Sequence, residues 1–291
     1  MFDVAIIGTG PAGLSAALTL KLHNKEILWF GSREQSDKVG KSEKIANYPG
    51  VPMTSGKDLN AAFFKQAEEM GIEITDKIVT LISNAGDHYM ILANNEVHEA
   101  KTVLFATGVV QAKGFENEED FVGRGVSYCA TCDGFLYKGK TVAVHSSAQR
   151  MEEDVRYLEE TCGKVYVFRT YKTDKPDSEN TEVLPKPIRK ISGGMKVESI
   201  TLADDSEIAV DGVFCLRNAI APTTLLSGLE MDGAHIVVNR QQETNLPGCF
   251  AAGDCTGRPY QIAKAVGEGN VAAHQILSYL VYTYEQPHPN N

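Results

Sequence analysis

The feature that most constrains the fold is a glycine turn. Gly8-Thr9-Gly10-Pro11-Ala12-Gly13 joins the apolar run Val4-Ala5-Ile6-Ile7 to a segment, Leu14 to Leu22, with small and apolar residues along one face. A G-x-G-x-x-G pattern on its own is a weak signal. Between a strand and a helix it marks the first turn of a β-α-β dinucleotide fold, and Ile27-Leu28-Trp29-Phe30 supplies the second strand within the expected span. Each glycine has a separate reason. Gly8 permits the tight turn, Gly10 leaves the backbone bare where a pyrophosphate approaches, and Gly13 lets helix and strand pack closely while the helix N-terminus faces the anion. The motif does not by itself separate FAD from NAD.

Further along, Ser55 and Asp58 are spaced as a capping box for a helix reaching Met70, with Leu59, Phe63 and Met70 on one face and Gly71 as the stop. Short strands are expected between Glu73 and Val97, then a buried strand in Thr102-Val103-Leu104-Phe105 that ends in the small residues Ala106, Thr107 and Gly108. Gln111 to Glu119 is polar enough for a linker. A second β-α-β pattern runs from Thr141-Val142-Ala143-Val144, through a helix carrying Met151, Val155 and Leu158, to Val165-Tyr166-Val167-Phe168. Strands around Ser199 to Leu202 and Val213 to Leu216 close that region. The expected class is α/β, with two Rossmann-like, three-layer ββα domains of the nucleotide-binding type. The first domain is discontinuous, 1–110 and 218–291, and the second, 111–217, is inserted in it. The tail from Gln286 to Asn291 is rich in Pro and Asn and is expected to fray.

Composition narrows the function. Apolar content of 43% and charged content of 23% suit a globular protein, and no run approaches the roughly 20 apolar residues of a membrane helix. With 28 basic and 38 acidic residues the formal charge is −10, which argues against nonspecific nucleic-acid binding. The first strand begins at Asp3, which leaves no room for a secretion signal, so the expected compartment is the cytoplasm. There a close cysteine pair is more often catalytic or metal-binding than structural. Of six cysteines only Cys129 and Cys132 stand in a C-x-x-C spacing, while Cys162, Cys215, Cys249 and Cys255 fall at or near the ends of apolar segments and read as buried thiols. No second close pair of Cys or His completes a zinc site, so no metal is expected. Two cysteines so spaced can close a disulfide, a helix starting beside them lowers a thiol pKa, and Asp133 is placed to move protons.

Over nearly its whole length, and in the same order, the chain resembles the low-molecular-weight thioredoxin reductases. The resemblance rests on GTGPAG at Gly8–Gly13, the turn Asn47-Tyr48-Pro49-Gly50, ATG at Ala106–Gly108, GRGVSYCATCDG at Gly123–Gly134, and AAGD at Ala251–Asp254 followed by Gln261-Ile262-Ala263. It implies a homodimeric FAD enzyme whose substrate is thioredoxin. The implied FAD contacts are Gly8, Gly10, Pro11, Ala12, Gly13, Asn47, Ala106, Thr107, Gly108, Gly253, Asp254, Gln261 and Ile262, with Asp254 on the ribityl chain. The helix beginning near Gln261 would point its N-terminus at the pyrimidine edge of the flavin. The same resemblance assigns Cys132 to the flavin, Cys129 to the protein disulfide and Asp133 to acid–base work.

The chain departs from that family at one place. A second nucleotide motif, G-x-G-x-x-A, belongs after the strand Val142-Ala143-Val144, and in register those positions hold Ser146, Ala148 and Met151, with His145, Ser147, Gln149 and Arg150 around them. Ser and Ala place a Cβ where backbone must meet pyrophosphate, and Met places a long side chain where helix and strand should touch. Ser146 or Ser147 is still suited to cap the helix. The arginines that clamp a 2′-phosphate in NADPH-dependent members are matched by Arg169-Thr170-Tyr171. Both halves of the site are altered together, so NADPH is not the expected donor. The subgroup with this pattern resembles the flavin thioredoxin reductases that accept electrons from ferredoxin. An acidic ferredoxin calls for a basic docking surface, and Arg169, Lys172, Lys175, Lys186, Arg189 and Lys190 are candidates, diluted by Asp174, Asp177, Glu179 and Glu182. The competing readings are a divergent or diflavin-type disulfide oxidoreductase with another donor, an NADPH enzyme with a degenerate site, and a non-enzymatic thiol sensor.

Overall fold

The structure, a computed structural model, describes residues 1–32, 37–40, 42–109, 114–128, 130–174, 176–217 and 221–285, without the side chains of Asp37, Lys38, Cys132, Arg150 and Glu285. The tail expected to fray and Cys129 lie outside the described residues. In chain order the elements are β1 Phe2–Ile7, α1 Pro11–Leu22, β2 Ile27–Phe30, α2 Asp37–Gly40, α3 Gly56–Glu69, β3 Ile74–Thr75, β4 Val79–Asn84, β5 Tyr89–Ala93 and β6 Glu96–Phe105. Next come β7 Val126–Ser127, α4 Ala130–Asp133, β8 Thr141–Ser146, α5 Glu152–Thr161, β9 Lys164–Arg169, β10 Thr181–Val183, β11 Ile188–Gly193, β12 Val197–Leu202, β13 Glu207–Ala209 and β14 Gly212–Leu216. The chain ends with α6 Pro222–Leu225, β15 Met231–Asp232, β16 His235–Ile236, β17 Cys249–Ala251 and α7 Ile262–Leu280. They form two compact units, Met1–Gln111 with Ala221–Asn291, and Ala112–Ile220.

The first unit is built on β6, the longest strand. Its N-terminal half pairs antiparallel with β5, and its C-terminal half runs parallel to β1 on one side and to β17 on the other. Strands covered on both faces should be apolar throughout, and Val4 to Ile7 and Val103 to Phe105 are all buried. In the meander, Tyr89, Ile91 and Ala93 of β5 are buried in alternation, as a sheet with one wet face should be, while a register shift in β4 sets its buried residues Val79 and Ile82 three apart. On the parallel strands α1 and α7 pack against one another through Ala12, Ala16 and Ala17 facing Gly269, Ala272 and Ala273 in one buried cluster. The approach is so close that a Cβ on Gly269 would sit 2.1 Å from the carbonyl oxygen of Ala12. The expected helix after Ser55 is α3: the Ser55 hydroxyl accepts the Asp58 N–H at 3.1 Å, and Gly71 follows at φ +63°.

The second unit repeats the design with a parallel sheet in the order β10-β9-β8-β14-β7 and a separate antiparallel meander, β11-β12-β13. Its own core joins Ala143, Val213 and Cys215 of the sheet to Ile191, Val197, Ile200 and Leu202 of the meander. The fold is thus α/β with two Rossmann-like units, one inserted in the other. Two local expectations are corrected. The helix after β8 is capped by neither Ser146 nor Ser147: α5 begins at Glu152 behind a 3-10 turn, Gln149–Met151, because Ser146 is still strand and its hydroxyl is taken by Tyr171 at 2.8 Å. The polar stretch read as a linker is, in its described part, docked onto the unit, since Glu118 is buried against Arg217 with N–O distances of 2.6 and 2.8 Å.

Candidate active site

The glycine turn is shaped by contacts that only glycine tolerates. Gly8 has φ +118°, and a Cβ there would lie 2.3 Å from the Ala106 carbonyl oxygen; one on Gly13 would lie 2.1 Å from the carbonyl oxygen of Gly8. Gly10 differs, for no atom lies within 4 Å of its Cβ position. That side of the turn is open to a ligand. Helix α1 starts there with Gly10 as N-cap and Pro11 in its first turn, with no side-chain cap and no acidic residue in that turn. Its N–H groups and dipole present an uncompensated positive end, which is what an anionic pyrophosphate requires. Trp29 completes the turn: its indole N–H donates to the Gly8 carbonyl at 2.9 Å, a role not anticipated from its place in an apolar strand.

The other implied FAD contacts in the first unit gather on the loops beside this turn. The Asn47 amide donates to the Gln261 side-chain oxygen at 2.9 Å, joining two loops 214 residues apart. Gln261 is the N-cap of α7 and Ile262 its first residue. Gly108 stands at φ +67° and Gly253 at φ +91°, where a Cβ would lie 2.9 Å from Ala12 Cβ. Asp254 opens a 3-10 turn, Asp254–Thr256. The side chains that secure this turn, Thr256, Lys264 and Glu268, were not singled out from sequence. The i, i+4 spacing of Lys264 and Glu268 at the start of α7 was the available signal.

In the second unit, α4 begins at Ala130, directly after the position of Cys129, and contains Cys132 and Asp133. Asp133 accepts the Ser127 hydroxyl at 2.6 Å, so the carboxylate expected to do acid–base work is held from β7 by a residue of the same GVSYCATCDG string. Gly134 is required, because a Cβ there would lie 2.7 Å from the Tyr157 ring. The remaining cysteines are free and buried. Burial pushes the Cys162 thiol up to about 11 and those of Cys249 and Cys255 up to about 12, and raises Cys215 as well. Such thiols carry almost no thiolate at neutral pH and are inert in disulfide exchange.

The residues at the second nucleotide motif do not fit a pyridine nucleotide. Where α1 begins without a carboxylate, α5 begins with Glu152, Glu153 and Asp154 in its first turn. Burial raises the Asp154 pKa, with a further contribution from the neighbouring Glu153. Glu152 is 3% exposed and accepts from both the Arg169 Nε–H, at 2.8 Å, and the Tyr171 hydroxyl. Arg169 is also 2.8 Å from Asp177 and 3.9 Å from Glu159. The helix end that should receive phosphate already holds a carboxylate, and the arginine that should clamp a phosphate is spent inside the unit. Met151, 2% exposed, fills the helix–strand contact. These bonds correct the docking surface as well. Arg169 is internal, Arg189 pairs with Asp205 at 2.5 Å and Lys190 with Glu116 at 3.3 Å. Lys175 lies outside the described residues, and of the six cations Lys172 and Lys186 are exposed, as is Arg189 in its ion pair.

An open glycine turn in one Rossmann-like unit and a C-x-x-C segment with a held aspartate in the other define a flavin-dependent disulfide oxidoreductase. The chain belongs to the pyridine nucleotide-disulphide oxidoreductase family, whose pattern matches residues 2–149 and 180–269. The unmatched interval between them holds α5 and β9, with Glu152, Arg169 and Tyr171. Among curated proteins it is 33% identical to a thioredoxin reductase of Helicobacter pylori, over 96% of this chain and 99% of that one. A thioredoxin reductase of Bacillus subtilis is 30% identical over 96% of this chain and 95% of its own length. Among solved structures, a ferredoxin-flavin thioredoxin reductase from Clostridium acetobutylicum superposes with a TM-score of 0.90 at 40% identity, covering 98% of this chain and 99% of that one. The atypical thioredoxin reductase TRi from Desulfovibrio vulgaris Hildenborough gives 0.68 at 30% identity, covering 97% and 99%. The chain is accordingly an enzyme of the thioredoxin reductase kind, and its cofactor is FAD. No helix among the described residues is long and apolar enough to cross a membrane.

Proposed function

We propose that this enzyme reduces thioredoxin with electrons from reduced ferredoxin rather than from NADPH, and that it works as a cytoplasmic homodimer. One observation carries the donor assignment: the phosphate-binding end of α5 is filled by the Glu152–Arg169–Tyr171–Ser146 network. The likeness to a ferredoxin-flavin thioredoxin reductase supports the same reading. A second flavin in that place is disfavoured by the same carboxylates, since it too would bring phosphate.

The glycine turn and the Gly253–Asp254 turn would hold FAD, which would supply a centre able to take up electrons singly and give them up as a pair. The thiol chemistry belongs to Cys129, Cys132 and Asp133. With the pair reduced, the Cys129 thiolate attacks one sulfur of the thioredoxin disulfide, forming a mixed disulfide and expelling a thiolate that takes up the Cys132 thiol proton, relayed by the Asp133 carboxylate. Cys132 then attacks the Cys129 sulfur, closing the enzyme disulfide and releasing the second thioredoxin thiolate. Two electrons have passed to the substrate, with one proton from the Cys132 thiol, and the second thiolate takes its proton from water. The Ser127 hydroxyl keeps the Asp133 carboxylate oriented for this exchange.

The test is anaerobic and spectroscopic. Reduced ferredoxin is expected to bleach the flavin absorbance and, with oxidised thioredoxin present, to sustain thiol formation; NADPH at the same concentration is expected to do neither. Bleaching by NADPH alone, or none by ferredoxin, overturns the donor assignment. C129S should abolish thioredoxin reduction while leaving flavin bleaching by ferredoxin in place.

A further inference from the structure

The AAGD turn is gripped through both peptide units that flank Gly253. Gly253 donates its N–H to Glu268 Oε2 at 2.8 Å, and its carbonyl accepts from the Lys264 ammonium at 2.8 Å and from the Thr256 hydroxyl at 2.8 Å. The grip is cross-braced. Lys264 also donates to the Gly257 carbonyl at 2.8 Å and to Thr256 Oγ1 at 3.2 Å, while Glu268 Oε2, 3.0 Å from Thr256 Oγ1, is the alternative acceptor for its single hydroxyl proton. Lys264 and Glu268 are themselves 3.0 Å apart, with side chains 17% and 21% exposed.

Two features make this arrangement more than surface charge. Gly253 is at φ +91°, a left-handed conformation, packed so that even a methyl group would press on Ala12 in the first turn of α1. The backbone here therefore needs external support to hold its shape. Second, a lysine in the first turn of a helix opposes the helix dipole and is unfavourable there unless it is compensated. Lys264 lies in the first turn of α7 and is compensated by Glu268 and three oxygen acceptors, all belonging to the turn that contains Gly253 or to α7 itself.

We infer that Lys264 and Glu268 are positioning residues for FAD: a side-chain latch from α7 that holds the Gly253 peptide, and with it Asp254, in the orientation that receives the ribityl chain. The latch works through Gly253, so the inference stands apart from the choice of electron donor. It requires only that FAD is the cofactor.

The holoenzyme is diluted and flavin fluorescence is followed as FAD leaves. Hydrogen bonds to charged groups are worth enough that K264M and E268L are each expected to release FAD at least about tenfold faster than the unsubstituted enzyme. E268Q keeps an oxygen for the Gly253 N–H and should lie within about threefold. The double variant K264M/E268L should be no worse than the worse single change, because both belong to one bonded network that holds one residue, Gly253. Far-UV circular dichroism and the melting of the FAD-stripped protein report on folding. Unchanged FAD retention overturns the inference, as does a loss that only tracks a lowered melting temperature of the stripped protein or that multiplies across the double variant. Should K264M or E268L fail to fold, T256V removes only the shared hydroxyl, and normal FAD retention there overturns the inference equally.

Discussion

At the scale of single residues, buried polar groups divide between those that are satisfied and those that are not. His145 belongs to the second kind. It lies between the Phe115 ring at 5.3 Å and the Phe168 ring at 5.9 Å, and its Nδ1 has no partner. Burial, and after it the Arg217 charge, lower its pKa to about 4, against a small opposing effect of Glu118. In the unfolded chain a histidine titrates near 6.5. Between those values the unfolded state binds a proton that the folded state refuses, so stability is full above about 6.5 and falls as the pH drops toward 4. The expected loss from pH 7 to pH 5 is about 2 kcal/mol. Urea unfolding of the wild type and of H145N at the two pH values isolates it: the variant should lose about 2 kcal/mol less, and equal losses would show that His145 is freely protonated in the fold. The sequence placed His145 beside the degenerate motif, but only the packing of Phe115 and Phe168 reveals its desolvation.

At the scale of elements, what was legible was whatever depends on backbone conformation and short-range periodicity. Gly8, Gly10 and Gly13 each have the neighbour or the open space their positions implied, and the Ser55 cap stands where its spacing put it. What was not legible depends on charges that meet only after folding. Arg169 reads as a surface cation until Glu152 and Asp177 are brought to it, and Glu118 reads as linker until Arg217 reaches it across 99 residues. The Glu118–Arg217 pair is testable at this scale because it ties the segment before the 3-10 turn Glu119–Phe121 to the end of β14. Glu118 also accepts from the Tyr128 hydroxyl at 2.9 Å and the Phe115 N–H at 2.9 Å. Removing one partner of a buried pair leaves an uncompensated charge, and E118Q is expected to cost about 3–5 kcal/mol. Adding R217M should restore part of that loss, since the stranded guanidinium is gone. Denaturant unfolding of both variants measures it, and a double variant weaker than E118Q would show that the pair contributes through more than its charge balance.

At the scale of the molecule, the two units keep separate accounts of buried surface. The core around Ala16, Leu104 and Ile276 belongs to the first, and the one around Val213, Ile191 and Ile200 to the second. Every residue implied in FAD binding lies in the first unit, and the cysteine pair lies in the second. A ligand that binds only the folded state stabilises what it binds, by about 2.7 kcal/mol at a hundredfold excess over its dissociation constant. That gain should fall on one unit alone. Calorimetry of the FAD-stripped protein is expected to resolve two unfolding transitions, and added FAD to raise one of them by about 5–10 °C while the other stays in place. E268L, which loosens the Gly253 turn, should shrink that shift without moving the second transition. A single transition that moves as a whole would mean that the units unfold as one cooperative body, so that FAD stabilises the cysteine-bearing unit as strongly as the one that holds it.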